Sequence, residues 1–207
     1  MNKIDLNTRI YDPLLSGPLK PLRQAMLNAL PKNKDIKILD LCSGTGDQLL
    51  TFEVNGYLDL HGLDLDPGMV AYARRNSRII QYHEGDASDT GFVSGSFDIV
   101  TISLALHDKD QVLREAILME AARLLKPDGY ILAADFVFDR NSTFMGRLMI
   151  STVEFIARGD HYRNFRDYTR RGGMLKILPT DLFKATEVGR AVKRSIAVWK
   201  LSKPKTL

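Results

Sequence analysis

The chain has 207 residues, of which 44% are hydrophobic and 26% charged, and a formal net charge of +4. That length suits one domain with a substantial core, and the composition belongs to a folded chain rather than a disordered one. The mild basicity is compatible with an anionic substrate or a membrane surface without demanding nucleic acid, while the single cysteine, Cys42, excludes an intrachain disulfide framework and a cysteine-cluster metal site.

The first residues, MNKIDLNTRIYDP, contain no apolar core of a signal peptide, and no run reaches the roughly 20 apolar residues that span a bilayer, so the expectation is a cytoplasmic protein. Residues 1–33 hold a helical segment, LKPLRQAMLNAL. DIKILDLC (35–42) then reads as a strand and GDQLLTFEVN (46–55) as a short helix. YLDLHGLDL (57–65) is a second strand, followed by a helix in PGMVAYARRN (67–76), with Pro67 in the first turn, where its missing N–H costs nothing. RIIQYHEGD (78–86) is a third strand. FDIVTISLAL (97–106) is nearly continuous apolar sequence, as in a strand buried on both faces.

Apolar residues at 113, 117, 121 and 124 predict a helix over 110–126, ended by Pro127 and Gly129. YILAADFVF (130–138) is a fifth strand, and VKRSIAVWKLS (192–202) a closing one. Strand–helix alternation with short connections predicts an α/β fold with a doubly wound, mostly parallel sheet. The predicted organisation is one domain over 1–207: a helical cap (1–33), a ligand-binding core (34–138), a lid (139–182), then closing strands and a tail (183–207).

The stretch KILDLCSGTGD (37–47) is the most informative. An apolar strand stops at two glycines with an acid on either side. A nucleoside-triphosphate loop needs Gly-Lys-Ser/Thr, but Gly46 is followed by Asp47 and Gln48. A dinucleotide loop needs a third glycine, but Leu49 stands there, and Asp40 and Asp47 would repel a pyrophosphate. S-adenosylmethionine carries an ammonium and a sulfonium and no phosphate, so nearby acids attract it. Gly44 and Gly46 allow close approach of the backbone to its amino-acid end. An acid closing the second strand, Asp64, would accept from the ribose diol, and one after the third strand, Asp86, would lie near the adenine amino group.

With those residues in place, the chain resembles the class I S-adenosylmethionine-dependent methyltransferases. The resemblance rests on ILDLCSGTGD, GLDLDPGMVAYAR, EGDASD, FDIVTISLALHD and LLKPDGYILAADF, in order over about residues 35–138. SGTGD and the amino-terminal RIYDPLL are most similar to the ubiquinone/menaquinone-biosynthesis type of small-molecule methyltransferase. One departure is Cys42, where many family members have glycine.

The resemblance implies a seven-stranded Rossmann-like sheet and cofactor contacts from Tyr11, Asp40, Gly44, Thr45, Gly46, Asp64, Leu65, Asp86, Ala87 and Ser103. Several of these have a plainer alternative: Asp40 as an acid that orders the loop, Asp86 as an ordinary loop acid, Ser103 as a buried serine bonded to backbone. Asp66 reads as the cap of the following helix. His107, directly after the fourth strand, is the candidate catalytic base, since an imidazole exchanges a proton near neutrality; the alternative is a histidine bonded to the rim of the fold. His61 and His83 lie within strands and read as structural. In DHYRNFRDYTRRGG (160–173), Tyr162, Phe165 and Thr169 share a helical face beside Arg163, Arg166, Arg170 and Arg171, either as a surface helix or as an acceptor lid.

The expected reaction is methyl transfer from S-adenosylmethionine to an O or C atom of a small molecule, quinone- or phenol-like, releasing S-adenosylhomocysteine. No metal is needed for it. SLALHD replaces the Asn/Asp-Pro-Pro-Tyr used on exocyclic amino groups, and no Pro-Cys nucleophile exists for cytosine C5. The competing readings are a non-catalytic S-adenosylmethionine-binding regulator and an RNA-modifying enzyme. A small-molecule acceptor, no nucleic acid, no membrane span and room for peripheral membrane contact complete the expectation; the oligomeric state is left open.

Overall fold

The computed structural model describes residues 17–157, 159–179 and 182–203. Its strands are β1 (Lys37–Leu41), β2 (Asp59–Asp64), β3 (Gln81–Glu84), β4 (Phe97–Ser103), β5 (Leu125–Phe136), β6 (Lys184–Ala191) and β7 (Ile196–Ser202). They form one sheet in the order β3-β2-β1-β4-β5-β7-β6. Neighbours from β3 to β5 run parallel, while β7 is antiparallel to both β5 and β6. Ile38, Leu39, Leu41, Val100, Ile131 and Leu132 on the central strands are wholly buried, which is why those strands read as unbroken apolar runs. The expected doubly wound, mostly parallel seven-stranded sheet is the one observed.

The helices are α1 (17–28 as described), α2 (Asp47–Glu53), α3 (Pro67–Asn76), α4 (Gln111–Leu124), α5 (Phe144–Ala157), α6 (Gly159–Arg171) and α7 (Met174–Ile177). Asp66 caps α3 as its sequence suggests: its carboxylate accepts from the amides of Gly68 (2.7 Å) and Met69 (3.3 Å). Asp110 caps α4 in the same way through Leu113 N at 2.9 Å. His61 and His83 stack on each other against Phe92, with His61 bound to Asp59, so both are structural.

Several boundaries differ from the sequence reading; β3 is confined to Gln81–Glu84, and the closing strand starts at Ile196 rather than 192. β4 stops at Ser103 rather than running to 106, because Leu104 takes φ 53°, outside any strand conformation. α4 ends at Leu124, and β5 begins directly at Leu125 instead of at 130. Its pairing with β4 jumps from Phe97↔Leu125 to Ile99↔Tyr130, so 126–129 bulge out of the ladder. Gly129 makes the bulge possible, since a Cβ there would stand 2.8 Å from the Asp98 carbonyl oxygen. Lys126 fastens it through a 2.7 Å ion pair with Asp98.

The strand order reverses between β1 and β4, so a crevice opens at their carboxyl ends, where open α/β sheets bind ligands. Register puts Asp40 beside Thr101 of β4 and Leu41 beside Leu63 of β2. The polar residues that close β1, β2 and β4 therefore reach the same edge.

Candidate active site

After β1 the chain turns through positive φ at Cys42 (58°), Gly44 (53°) and Gly46 (82°). A side chain in this left-handed region costs roughly 1–2 kcal/mol, which explains why glycine suits position 42. Burial pushes the Cys42 thiol up to about 12, so it stays protonated and is no nucleophile. The two glycines differ in purpose. A Cβ on Gly46 would run into the Tyr82 ring, so Gly46 is required by packing and by its left-handed place ahead of α2. A Cβ on Gly44 would meet nothing within 4 Å, because Gly44 borders open space.

That space is a cavity of about 240 Å³. It is lined by Leu19, Leu22 and Arg23 of α1, by Asp40, Cys42, Ser43, Gly44, Thr45, Asp47 and Gln48, and by Met69, Ser103 and Leu104. Arg23 spans its mouth to Asp47 at 3.3 Å, which ties α1 to α2. Ser43 Oγ and Gln48 Oε1 are buried with no hydrogen-bond partner among the described residues. Such groups are costly unless a ligand or water completes them.

Asp40 is buried and accepts a 2.5 Å hydrogen bond from Thr101 Oγ1. Burial, reinforced by the charge of Asp64 and partly offset by Thr101, pushes its carboxyl up to about 7. Asp64 uses one oxygen to accept from Gly44 N at 2.7 Å and the other to accept from Asp66 N at 2.9 Å. It thus fixes the glycine turn, and each oxygen keeps a second lone-pair direction outward.

Of the sequence candidates, Asp40, Gly44, Thr45 and Ser103 come together on the cavity, and Asp64 joins them through Gly44. Asp86, Ala87 and Leu65 lie outside its lining. Asp86 is exposed and folded back on Ser88, whose amide and hydroxyl (2.8 and 2.7 Å) hold the carboxyl below its usual range. Ala87 is buried, and Leu65 is exposed. The cavity falls below the usual 300–1,000 Å³ of ligand pockets. Tyr11 lies outside the described residues.

His107 is buried and does not line this cavity. Its Nδ1 lies 2.8 Å from Asp135 Oδ1 at the end of β5. Asp135, itself fully buried, also accepts from the amides of Leu106 and His107 (3.1 Å each) and of Phe136 (2.7 Å). Phe136, His161 and Phe165 surround the imidazole at ring distances of 4.5, 5.6 and 6.3 Å. Next to it, Asp108 is held down at about 2: burial acts to raise it, but His161 and Lys109 outweigh burial.

Arg114, wholly buried on α4, locks this region to α6. It donates to the carbonyls of Leu106 (2.8 Å), His107 (3.4 Å) and Asn164 (2.8 Å) and to Asp167 (2.8 Å). The buried face of α6 is set by Phe165 and Tyr168, with Tyr162 and Thr169 at its margins. Arg163 pairs with Asp160 and Arg171 with Asp167 on the outer side.

Asp135, Arg114 and Tyr168 escape a reading of the sequence. Asp135 had a signal, as an acid closing an apolar strand in the manner of Asp64. Arg114 had a weaker one, in that it stands one turn before Ile117 and Leu118 on the buried side of α4.

Residues 38–129 match a family model described as a methyltransferase domain. This stretch is similar in sequence to methyltransferase domains. A demethylmenaquinone methyltransferase of Beutenbergia cavernae is 34% identical over 125 residues, covering 60% of this chain and 51% of that protein. A ubiquinone/menaquinone biosynthesis C-methyltransferase of Campylobacter jejuni is 33% identical over 110 residues, covering 50% and 46%. The chain spans about half the length of these curated relatives. Among solved structures, the domain and its flanks superpose on a chain of the Haloferax volcanii complex that contains the Trm112 methyltransferase activator. That match has a TM-score of 0.70 at 17% identity, covering 99% of this chain and 97% of that one. An S-adenosylmethionine-dependent methyltransferase of Aquifex aeolicus gives 0.64 at 15% identity, covering 97% and 99%. At such identities the likeness is one of fold. The matched stretch includes the glycine turn, Asp64, Asp86 and His107, while Asp135 and α6 follow it.

Proposed function

We propose that this protein is an S-adenosylmethionine-dependent methyltransferase acting on an O or C atom of a small quinone- or phenol-like acceptor. One observation carries the reading: a cavity bordered by Gly44 and by buried Ser43 and Gln48 oxygens without a partner among the described residues, with carboxylates at Asp40, Asp47 and Asp64 around it. That donor set repels phosphate and suits a cation. The methyltransferase-domain match and relatives named for quinone methylation support the acceptor class.

The residues present fit S-adenosylmethionine. Asp40, Gly44, Thr45 and Ser103 would hold its amino-acid end, Asp64 its ribose through the outward lone pairs, and Asp86 with Ala87 its adenine. When bound, it supplies an electrophilic methyl group on a sulfonium whose leaving thioether needs no protonation. The chain's own task is then alignment, exclusion of water and removal of the acceptor's proton. With Asp135 accepting from Nδ1–H, the His107 tautomer leaves Nε2 as the basic nitrogen. His107 takes the acceptor's O–H or acidic C–H proton as the new bond to methyl forms. Phe136, Phe165 and Tyr162 keep that step dry, and α6 forms the acceptor side of the site.

The decisive experiment incubates the protein with S-adenosylmethionine and a panel of demethylated quinols, phenols and structured RNAs, and measures S-adenosylhomocysteine. Turnover with a quinol or phenol is the expected result. Cofactor binding without turnover on any acceptor would make the protein a regulator, and turnover on RNA alone would move the acceptor class to nucleic acid.

A further inference from the structure

The first turns of α5 carry an apolar patch that is exposed among the described residues. Phe144 is 77% exposed, Met145 56% and Leu148 51%. Leu148 stands four residues beyond Phe144 and three beyond Met145, so it neighbours both on the helix surface and the three form one patch. Other exposed large apolar residues, such as Val54, Val93 and Val112, stand singly in the sequence.

Exposed cations lie on the segments next to this face. Arg140 precedes it and is exposed. The turn between β6 and β7 abuts it: Thr143 donates from its amide (3.3 Å) and hydroxyl (3.1 Å) to the Lys193 carbonyl. In that turn Val192, Lys193 and Arg194 all take positive φ, of 46°, 52° and 64°. Lys193 and Arg194 are exposed there, beside a groove against Pro18 and Pro21 of α1. The side chains of Arg140, Lys193 and Arg194 have no ion-pair partner among the described residues. The nearby acids Asp139 and Glu187 are both taken up by Arg190.

The patch lies on the edge of the sheet that carries the site. β5 runs out into it, and β7, antiparallel to β5, pairs Ile196 with Phe136 and so brings the turn to the carboxyl end of β5. No described helix is long and apolar enough to cross a membrane. An aromatic and aliphatic face flanked by cations with no ion-pair partner among the described residues matches the interfacial zone of an anionic bilayer: side chains enter the headgroup boundary while Lys and Arg meet phosphate. We propose that Phe144, Met145 and Leu148, with Arg140, Lys193 and Arg194, dock this protein on anionic lipid bilayers. Docking turns the ligand-binding edge of the sheet towards the membrane, where a lipid-like acceptor would be met.

Vesicle co-sedimentation tests the surface directly. The protein should sediment with phosphatidylcholine vesicles containing phosphatidylglycerol, much less with pure phosphatidylcholine, and less as salt rises. Each cation contributes about fivefold in partitioning, so K193E/R194E should weaken binding more than tenfold. F144S/L148S should weaken it at least tenfold. The comparison of neutral and anionic vesicles needs no variant, so it stands even if a double variant folds poorly. No sedimentation with anionic vesicles, or equal binding by wild type and both double variants, overturns the proposal. So does a solution dimer that F144S/L148S dissociates, since the patch would then be a contact between copies. S-adenosylhomocysteine affinity, measured alongside, reports on the methyl-transfer reading separately: its absence in wild type would sink that reading and leave the vesicle result intact.

Discussion

Asp135 Oδ1 stands 2.8 Å from His107 Nδ1, and the same carboxylate accepts from three backbone amides, two in the loop after β4 and one at the end of β5. The imidazole is thereby oriented by a group that cannot itself turn. If His107 is the base, His107→Gln should lower kcat by about 10²–10⁴ while S-adenosylhomocysteine affinity holds. Asp135→Asn should lower kcat in the same direction, because an amide NH₂ cannot accept from Nδ1–H and favours the wrong tautomer. Near-wild-type kcat in the Gln variant would leave His107 as a positioning group. Steady-state kinetics with the best acceptor, beside cofactor calorimetry, distinguishes the two.

If Asp40 holds the ammonium end of the cofactor, ligand binding should depend on pH. The Asp40 carboxyl sits at about 7 against an ordinary 3.8, chiefly through burial. The raised value means that the group favours the folded state most below about pH 4 and loses that contribution as pH rises through 7. An ammonium ligand needs the ionised form, so affinity for S-adenosylhomocysteine should rise between pH 5.5 and 8, with proton release on binding below 7. Calorimetry in buffers of different ionisation enthalpy reads that proton. In Asp40→Asn both the proton release and the pH slope should vanish.

The two loop glycines should separate in stability. Gly46→Ala drives a methyl into the Tyr82 ring at a left-handed position and should cost about 2–4 kcal/mol. Gly44→Ala has room, so about 1 kcal/mol of backbone strain is the whole stability cost, yet its methyl enters the cavity and should weaken S-adenosylhomocysteine at least tenfold. Equal melting temperatures for the two variants would contradict the assignment of Gly46 to packing.

Arg114 and Asp167 form an unequal pair, with side chains 0% and 39% exposed. Arg114→Leu leaves three carbonyls without their donor and should destabilise by about 2–4 kcal/mol. Asp167→Asn should cost under about 1 kcal/mol, because that carboxylate is partly solvated and Arg114 keeps its carbonyl partners. Chemical denaturation of both variants measures the difference.

How much of this was legible in the sequence depended on whether a residue's role was local. Buried parallel strands write themselves as apolar runs, so FDIVTIS and KILDL were found. Asp66–Pro67 announced α3, and the glycine turn excluded two of three ligand classes. Roles fixed by distant residues were not legible. β5 begins at Leu125 because Gly129 passes the Asp98 carbonyl, and nothing near 125 records that contact. Asp135 looks like the end of an apolar strand until its partners at 106 and 107 are brought beside it. The burial of Arg114 depends on α6, fifty residues later, whose Asn164 carbonyl and Asp167 carboxylate it meets. The expected face of α6 was right at Phe165 but missed Tyr168, which is pinned by the Phe136 carbonyl at 3.1 Å.

The position of β7 bears on how the chain is made. β5 pairs with β4 on one side, but its other side is closed only by β7, from Phe136↔Ile196 to Tyr130↔Ser202. During synthesis, strands β1 to β5 leave the ribosome well before residues 196–202. Over that interval the nascent sheet presents Tyr130–Phe136 as an open edge of mostly apolar residues, the kind that recruits a second strand from another chain. Translation that stalls after β6 would leave a nearly complete fold with that edge uncovered. Ribosomes pausing near residue 190 should therefore yield chains that aggregate or are held by chaperones, although most of the core and the whole glycine turn have already been made.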